Sequence, residues 1–307
     1  MNPQDFQHEA LIYGDEGSFL AGAVPFLREA LTAGDAALVG VSRERTAQLR
    51  GELGGDADQV RFAEIEVAGH NPARLIPFWG EALDEYAGRP VRALGEPVWP
   101  GRDAAEVDEC QRHEFLLGTA FAARVPALSL LCSYDEGALG DETLGVVAHS
   151  HPAIDRNGVK SAIESYEPEH DCLAGRLPRH PASAQGFEFD RTGLFDVRQR
   201  VTWAAKSAGI SEQAAKDLTV AASELAANSI VHGGGNGTLH VWREGGQLLV
   251  EVADRGRIEE PMVGRVKPQP MQLGGRGLWL ANQFCDLVQV RSGAAGTTVR
   301  LRMAVAG

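Results

Sequence analysis

An acid and an amide sit one helical turn apart in the run Ser223–Gly233, SELAANSIVHG, where Glu224 and Asn228 are followed by a glycine-rich exit. At a spacing of four, two side chains share one face of a helix and reach the same space. Asn228 offers a neutral oxygen of the kind a hard divalent cation accepts, and Glu224 a carboxylate able to orient or deprotonate an attacking hydroxyl. That combination suits magnesium-nucleotide chemistry, although an Ala-rich amphipathic helix also carries such pairs on a solvated face.

Three downstream features bear on that choice. The apolar run Leu248–Ala253 reads as a buried strand and stops at Asp254, with Gly256 two residues on. A carboxylate at a strand end can accept a hydrogen bond from an exocyclic amine such as that of adenine, and Gly256 lets backbone approach the base; an ordinary Asp-x-Gly turn has the same letters. Next, LGGRGLWLANQFCD places Gly274, Gly275 and Gly277 before a helix whose apolar side is Leu278, Leu280, Ala281 and Phe284. Such a helix start exposes amide N–H groups to anions. Last, Gly296, Thr297 and Thr298 open a final strand, where a threonine hydroxyl can touch a base or simply favour the strand.

The elements that position these residues are helices near 192–208 and 212–231, strands near 238–243 and 248–253, a helix near 276–284, and strands near 287–292 and 298–304. They predict helices on one face of a mixed sheet. Before them, the apolar runs Leu11–Tyr13, Ala36–Val41, Val60–Val67, Val91–Leu94 and Ala127–Cys132 alternate with helical stretches near 17–33, 43–53, 72–88 and 103–124, the rhythm of parallel α/β units. Pro178, Pro181 and small residues interrupt both patterns, so residues 1–172 and 187–307 are expected as two domains joined by a linker at 173–186.

The order of helix acid and Asn, strand-end Asp-x-Gly, glycine-rich helix start and Gly-Thr strand resembles the ATP-binding fold of gyrase, the ninety-kilodalton heat-shock chaperones, histidine kinases and MutL, the HATPase or Bergerat fold. Within it, residues 187–305 look most like the compact anti-sigma factor and serine kinase branch, the RsbA/RsbW group. The resemblance implies an α+β domain binding ATP and magnesium, with Asn228 holding the ion, Glu224 as general base, Asp254 reading adenine, and Gly256, Gly274, Gly275 and Gly277 framing the nucleotide. Thr297 or Thr298 would stand behind the base. It also implies a sigma factor and an antagonist protein as partners, dimerisation through this domain, and a mobile lid over Arg257–Leu273. After Asp254-Arg255-Gly256-Arg257 the sequence departs from the usual D-x-G-x-G pattern, since Ile258 stands where the second glycine would.

The opening HEALIYGDEGSFL, with Leu128–Asp135 and Ala148–Ile154, resembles the MEDS sensory domain, which is related to the RecA/KaiC-type α/β fold, over residues 6–155. An active RecA-like ATPase carries G-x-x-x-x-G-K-[ST] after its first strand; here stand Gly14-Asp15-Glu16-Gly17-Ser18, without lysine and with two carboxylates. No nucleotide is expected there. Ligand crevices in parallel sheets form beyond the strands' carboxyl ends, which makes Tyr13, Cys132, Tyr134 and Asp135 a candidate sensory pocket, while core packing explains Cys132 equally well. His149 and His151, with His170 and Cys172, are candidate metal ligands at irregular spacing, and the same histidines suit a helix end before Pro152. His113 and Glu114 read as solvated helix surface. No two-helix dimerisation hairpin, as a histidine kinase needs, precedes the second domain.

A formal charge of −13 argues against binding to a nucleic-acid backbone and leaves room for a basic protein partner. Cys110, Cys132, Cys172 and Cys285 are scattered without a C-x-x-C, which predicts free thiols; with no signal peptide or long apolar stretch, a cytoplasmic location is expected.

Overall fold

The run Ala36–Val41 is buried at every position, as a strand covered on both faces must be. The structure, a computed structural model, describes residues 6–86, 88–124, 127–168, 170–269 and 275–305, and it divides into two units, Met1–His170 and Asp171–Gly307.

In the first unit the order is β1 (Gln7–Tyr13), α1 (Glu16–Ala33), β2 (Ala36–Val41), α2 (Arg43–Leu53), β3 (Val60–Glu64), α3 (Ile65–Ala68), α4 (Leu75–Glu85), β4 (Val91–Gly95), α5 (Ala104–Phe121), β5 (Leu128–Asp135), α6 (Asp141–Ser150), β6 (Ala153–Arg156) and β7 (Val159–Ala162). The sheet runs β3-β2-β4-β5-β1-β6-β7, and every pairing is parallel except β6 with β7. Leu11, Phe19, Leu27, Val39 and Leu94 pack one of its cores. The run expected as a single strand over 60–67 breaks at Glu64, where the chain turns into α3 and buries Ile65. The β6–β7 hairpin turns on Asn157-Gly158, both at positive φ (54° and 78°), the two-residue geometry whose twist matches that of the flanking strands.

The second unit comprises β8 (Gln185–Asp190), α7 (Leu194–Ala208), α8 (Glu212–His232), β9 (Asn236–Glu244), β10 (Gln247–Asp254), α9 (Arg276–Phe284), β11 (Leu287–Gly293) and β12 (Gly296–Ala304). Its sheet runs β11-β12-β10-β9-β8, and each pairing is antiparallel, in place of the mixed sheet expected. Tight links cause this: Gly245-Gly246 and Ala294-Ala295 each join neighbouring strands by two residues, too few for a parallel crossover. Val197, Val201, Leu218 and Leu225 of the helices meet Leu239, Val250 and Leu301 of the sheet in one core.

The stretch 173–186, expected as a linker, instead lies on this sheet. The Leu173 carbonyl accepts from Ser292 N–H at 2.9 Å, the Pro178 carbonyl from Arg300 at 2.5 Å, and His180 stacks on His240. The reason is polar: Arg300 and Glu251 form a buried ion pair at 2.6 Å, and the segment covers it. The chain therefore folds as a mostly parallel α/β unit followed by an antiparallel α+β unit. Among the described residues no helix is long and apolar enough to cross a membrane.

Candidate functional site

Asp254 ends β10, and both of its carboxylate oxygens are engaged. The Ser229 hydroxyl donates to Oδ2 at 2.6 Å and the Gly256 N–H to Oδ1 at 2.7 Å, which fixes the carboxylate while leaving lone pairs open. Ser229 is fully buried on α8, immediately after Asn228. A β-carbon on Gly256 would lie 2.6 Å from the His232 carbonyl oxygen, and one on Gly233 2.4 Å from Asp254 Cγ. Glycine at both positions therefore brings the exit of α8 against the loop after β10 at backbone distance.

Thr297 completes this corner. Its hydroxyl donates to the Gly256 carbonyl at 2.9 Å and lies 2.8 Å from Ser292 Oγ, which accepts from the Ile258 N–H at 2.8 Å. Strand alternation turns Thr298 to the other face of the sheet, where it lines a groove with Glu251 and the 174–180 segment. The structure thus separates two residues that the sequence leaves interchangeable.

At the far wall, α9 starts at Gly275 with φ 77° and no side-chain cap. A β-carbon on buried Gly277 would sit 3.1 Å from Asn228 Nδ2 and 3.1 Å from Glu224 Cβ, so the first turn of α9 leans directly on the acid-amide turn of α8. Asn228, Asp254, Gly256, Arg257, Gly275 and Thr297 line one cavity of about 250 Å³, walled by Leu225, Val252 and Leu278. Glu224 stands one turn away, half-buried, outside this lining. Arg257 is exposed at the rim. Gly274 falls outside the described residues, as does the 270–273 part of the expected lid. Two residues that sequence reasoning passes over hold the site: Ser229, described above, and Asn282, whose Nδ2 donates to the Gly264 carbonyl at 2.8 Å and ties the 261–265 turns to α9. A hydroxyl directly after Asn228, inside an apolar helix face, was the available signal for Ser229.

The first unit divides its candidate pocket residues between the two faces of the sheet. Tyr13 packs on Phe19 beneath the Arg45 guanidinium, and Arg45 donates to Asp135 at 2.9 Å. Cys132 and Tyr134 face the opposite way, toward α5. Burial, with Glu96 beside it, pushes the Tyr13 phenol well above its usual range. The histidines also part: His149 bonds the Ser165 carbonyl and, with His170, neighbours Glu167 at the surface, whereas His151 is fully buried. Cys172 is a buried free thiol of the second unit.

His113 and Glu114, expected on a solvated helix face, are instead 1% and 3% exposed. The reason is compensation: Glu114 Oε2 lies 3.0 Å from His8 Nε2 and 3.1 Å from His151 Nε2. Burial by itself would raise the Glu114 carboxyl, but the two imidazoles hold it well below its ordinary value. Burial, and then His151, lower the His8 imidazole to about 4. At the P-loop position, the Asp15 carboxylate caps α1, accepting from Ser18 N–H at 2.7 Å, while the Asp15 N–H donates to Ser18 Oγ at 3.0 Å.

Residues 7–152 match the family model of the MEDS domain (methanogen/methylotroph, DcmR sensory domain), and residues 187–303 that of the histidine kinase-like ATPase domain. Among solved structures, the RsbU and RsbW domains of Rv1364c from Mycobacterium tuberculosis match at 21% identity and a TM-score of 0.31, over 41% of this chain and 33% of that one. This chain thus spans about a third of the mycobacterial chain's length. The ATPase domain of G40P matches at 10% identity and a TM-score of 0.35, over 51% and 70% of the two chains. No curated protein matches.

Proposed function

In a chain that joins a MEDS sensory domain to a histidine kinase-like ATPase domain, we propose an anti-sigma regulator. Its second domain binds ATP with magnesium and engages a sigma factor as a dimer, its first domain supplies the sensory input, and neither binds nucleic acid. The observation that carries this reading is the convergence of Asn228, Asp254, Gly256 and Gly275 on one cavity from well-separated segments.

The residues suit the nucleotide. At about 250 Å³ the cavity falls just below the roughly 300–1,000 Å³ of drug-sized pockets, room for a base with its phosphates left toward the mouth. Asp254, oriented by Ser229 and Gly256, is placed to accept from an exocyclic amine. The start of α9 at Gly275, with positive φ and no side-chain cap, suits phosphate oxygens, and the missing β-carbon of Gly277 leaves room for the Asn228 carboxamide that would hold magnesium. Bound magnesium supplies charge neutralisation on the phosphates. Glu224, on the same helix face and outside the base cavity, is the residue to receive the proton of an attacking serine hydroxyl on an antagonist protein. Residues 171–184 form turns rather than a helical hairpin, which favours transfer to another protein over histidine autophosphorylation.

Affinity capture of the full chain with ATP, followed by phosphosite mapping, tests this. A sigma factor and a serine-phosphorylated antagonist are expected, and Glu224→Ala should slow transfer by roughly 10²–10⁴-fold with ATP binding retained. Undiminished transfer by that variant removes the role of Glu224. A second reading rests on the loop after Asp254, where Ile258 stands at the place of the resembled pattern's second glycine and Arg257 is exposed at the rim. In it the domain is a nucleotide-controlled binding switch without phosphotransfer, and the outcome that favours it is ATP-dependent sigma-factor capture with no phosphoserine.

A further inference from the structure

Outside the ATPase domain, four donor atoms of different elements meet in the middle of the first unit. His8 comes from β1, Glu114 from α5, Cys132 from β5, and His151 from the residue that follows α6. All four residues are buried, at 6%, 3%, 2% and 0% exposure, and their ligand atoms lie within 4.8 Å of one another. His8 Nε2 is 3.0 Å from Glu114 Oε2 and 3.5 Å from Cys132 Sγ, and His151 Nε2 is 3.1 Å from the same Glu114 oxygen.

The hydrogen bonds around His151 leave part of this buried cluster unsatisfied. His151 Nδ1 lies 2.9 Å from Ser150 Oγ and 3.0 Å from the Val147 carbonyl oxygen, so that side of the ring has its hydrogen-bond partners. When Nδ1 donates to that carbonyl, Nε2 of the neutral ring is a lone pair able to ligate. Nε2 lies 3.1 Å from Glu114 Oε2 without hydrogen-bond geometry, and Glu114 Oε1 is likewise buried without a hydrogen bond. A buried ring nitrogen without a well-formed hydrogen bond, set beside a carboxylate and a thiol, is suited to ligate a cation. A ligating imidazole whose other nitrogen donates to a backbone carbonyl is also the usual supporting arrangement at a metal.

We propose that His8, Glu114, Cys132 and His151 bind one divalent transition-metal ion, of the zinc class, inside the MEDS domain. Two imidazoles, a thiolate and a carboxylate are a donor set for a borderline-soft ion; magnesium and calcium want oxygens alone, and a thiolate-seeking monovalent copper gains little from the carboxylate. Tetrahedral zinc with bonds of about 2.0–2.3 Å has ligand-to-ligand edges of about 3.3–3.8 Å; the 3.5 Å spacing falls in that range, the 3.0 and 3.1 Å spacings need a slight expansion, and the remaining pairs, all within 4.8 Å, need at most a modest contraction. With four protein donors the site is closed, so the ion cross-links β1, α5, β5 and the end of α6 rather than serving hydrolysis. On binding, the Cys132 thiol gives up its proton to solvent and the sulfur–metal bond forms; no oxidant or reductant is involved.

The test uses the full chain, stripped with chelator and titrated separately with Zn²⁺ and Co²⁺. One equivalent is expected to bind, with a thiolate-to-cobalt charge-transfer band and a rise in the thermal stability of the first unit. Cys132→Ser should abolish that band. Cys132→Ser, Glu114→Gln and His151→Ala should each weaken Zn²⁺ binding by at least the roughly 10–100-fold that loss of a supporting contact costs. Circular dichroism of the metal-free variants separates this loss from misfolding. His180, His240 and Glu251 of the second unit form another group with suitable spacing, so His240→Ala serves as the control and should leave binding unchanged. No stoichiometric binding by the wild-type chain, a cobalt spectrum without the thiolate band, variants that bind normally, or binding lost in His240→Ala would each overturn the assignment.

Discussion

Two helix N-termini in this molecule stand where anions are commonly held, and they are finished in opposite ways. Helix α1 follows β1 at the position a RecA-like P-loop takes, and there Asp15 and Ser18 form a reciprocal capping box, so the protein's own carboxylate occupies the free amides. Hydrogen bonds from the Ser18 backbone and then its hydroxyl hold the Asp15 carboxyl below its usual range, which keeps the plug charged. Helix α9 begins at Gly275 with positive φ, has no side-chain cap, and rests its first turn on Asn228 and Glu224 through Gly277. Position within a fold is therefore not what makes a phosphate site. On the proposed reading, what distinguishes the two is whether a side chain of the protein itself plugs the helix start.

Three substitutions test that contrast, the strongest first. Asp254→Ala removes the acceptor assigned to the base, and ATP affinity should fall roughly 10–150-fold, the equivalent of about 1.5–3 kcal/mol for a hydrogen bond to a charged group. Calorimetric titration reads this, and a change under twofold means that adenine is not recognised at β10. Gly277→Val presses a branched side chain onto Asn228 and Glu224 and should weaken ATP about tenfold. The loss should be larger with magnesium than without, since Asn228 is the residue displaced; equal losses would detach Asn228 from the ion. Asp15→Ala opens the plugged terminus but restores no lysine. The first unit should lose a little thermal stability, and hydrogen exchange should show no nucleotide protection at residues 14–18; protection appearing there would mean that Asp15 alone keeps phosphate out.

Much of the second unit was legible because its signals are local. Period-3.6 patterning located α8 and α9, and the apolar run before Asp254 located β10. The failures have physical causes. Strand β8 alternates weakly and is mostly exposed at the sheet edge, so it merged with the Pro-rich stretch before it. The covering role of residues 173–180 depends on Arg300 and Glu251, which are more than seventy positions further on. In the first unit the Asn157-Gly158 turn was a readable hairpin signal between two short runs that carry little hydrophobicity. Glu114 was the hardest. A charged residue on a helix reads as solvated, and only the topology brings His8, 106 residues away, and His151 against its carboxylate.

The smallest contrast is the sharpest, because it sets neighbouring residues of one type against each other. Thr297 and Thr298 are equivalent as letters, yet one faces the helices and the other the covering segment. Thr297→Val keeps the shape and removes a hydroxyl that serves both the Gly256 carbonyl and Ser292 Oγ, so two buried groups lose a partner. Destabilisation of about 1–3 kcal/mol is expected, with weaker ATP binding because the Gly256 loop loosens beneath the base. Thr298→Val changes a half-buried position on the far face and should stay within about 0.5 kcal/mol, with ATP affinity unchanged. Urea unfolding and nucleotide titration of the two variants side by side read the difference. Equal effects would show that the loop after β10 is not held by β12, and the reason for the cavity's shape would then have to be sought in α9 alone.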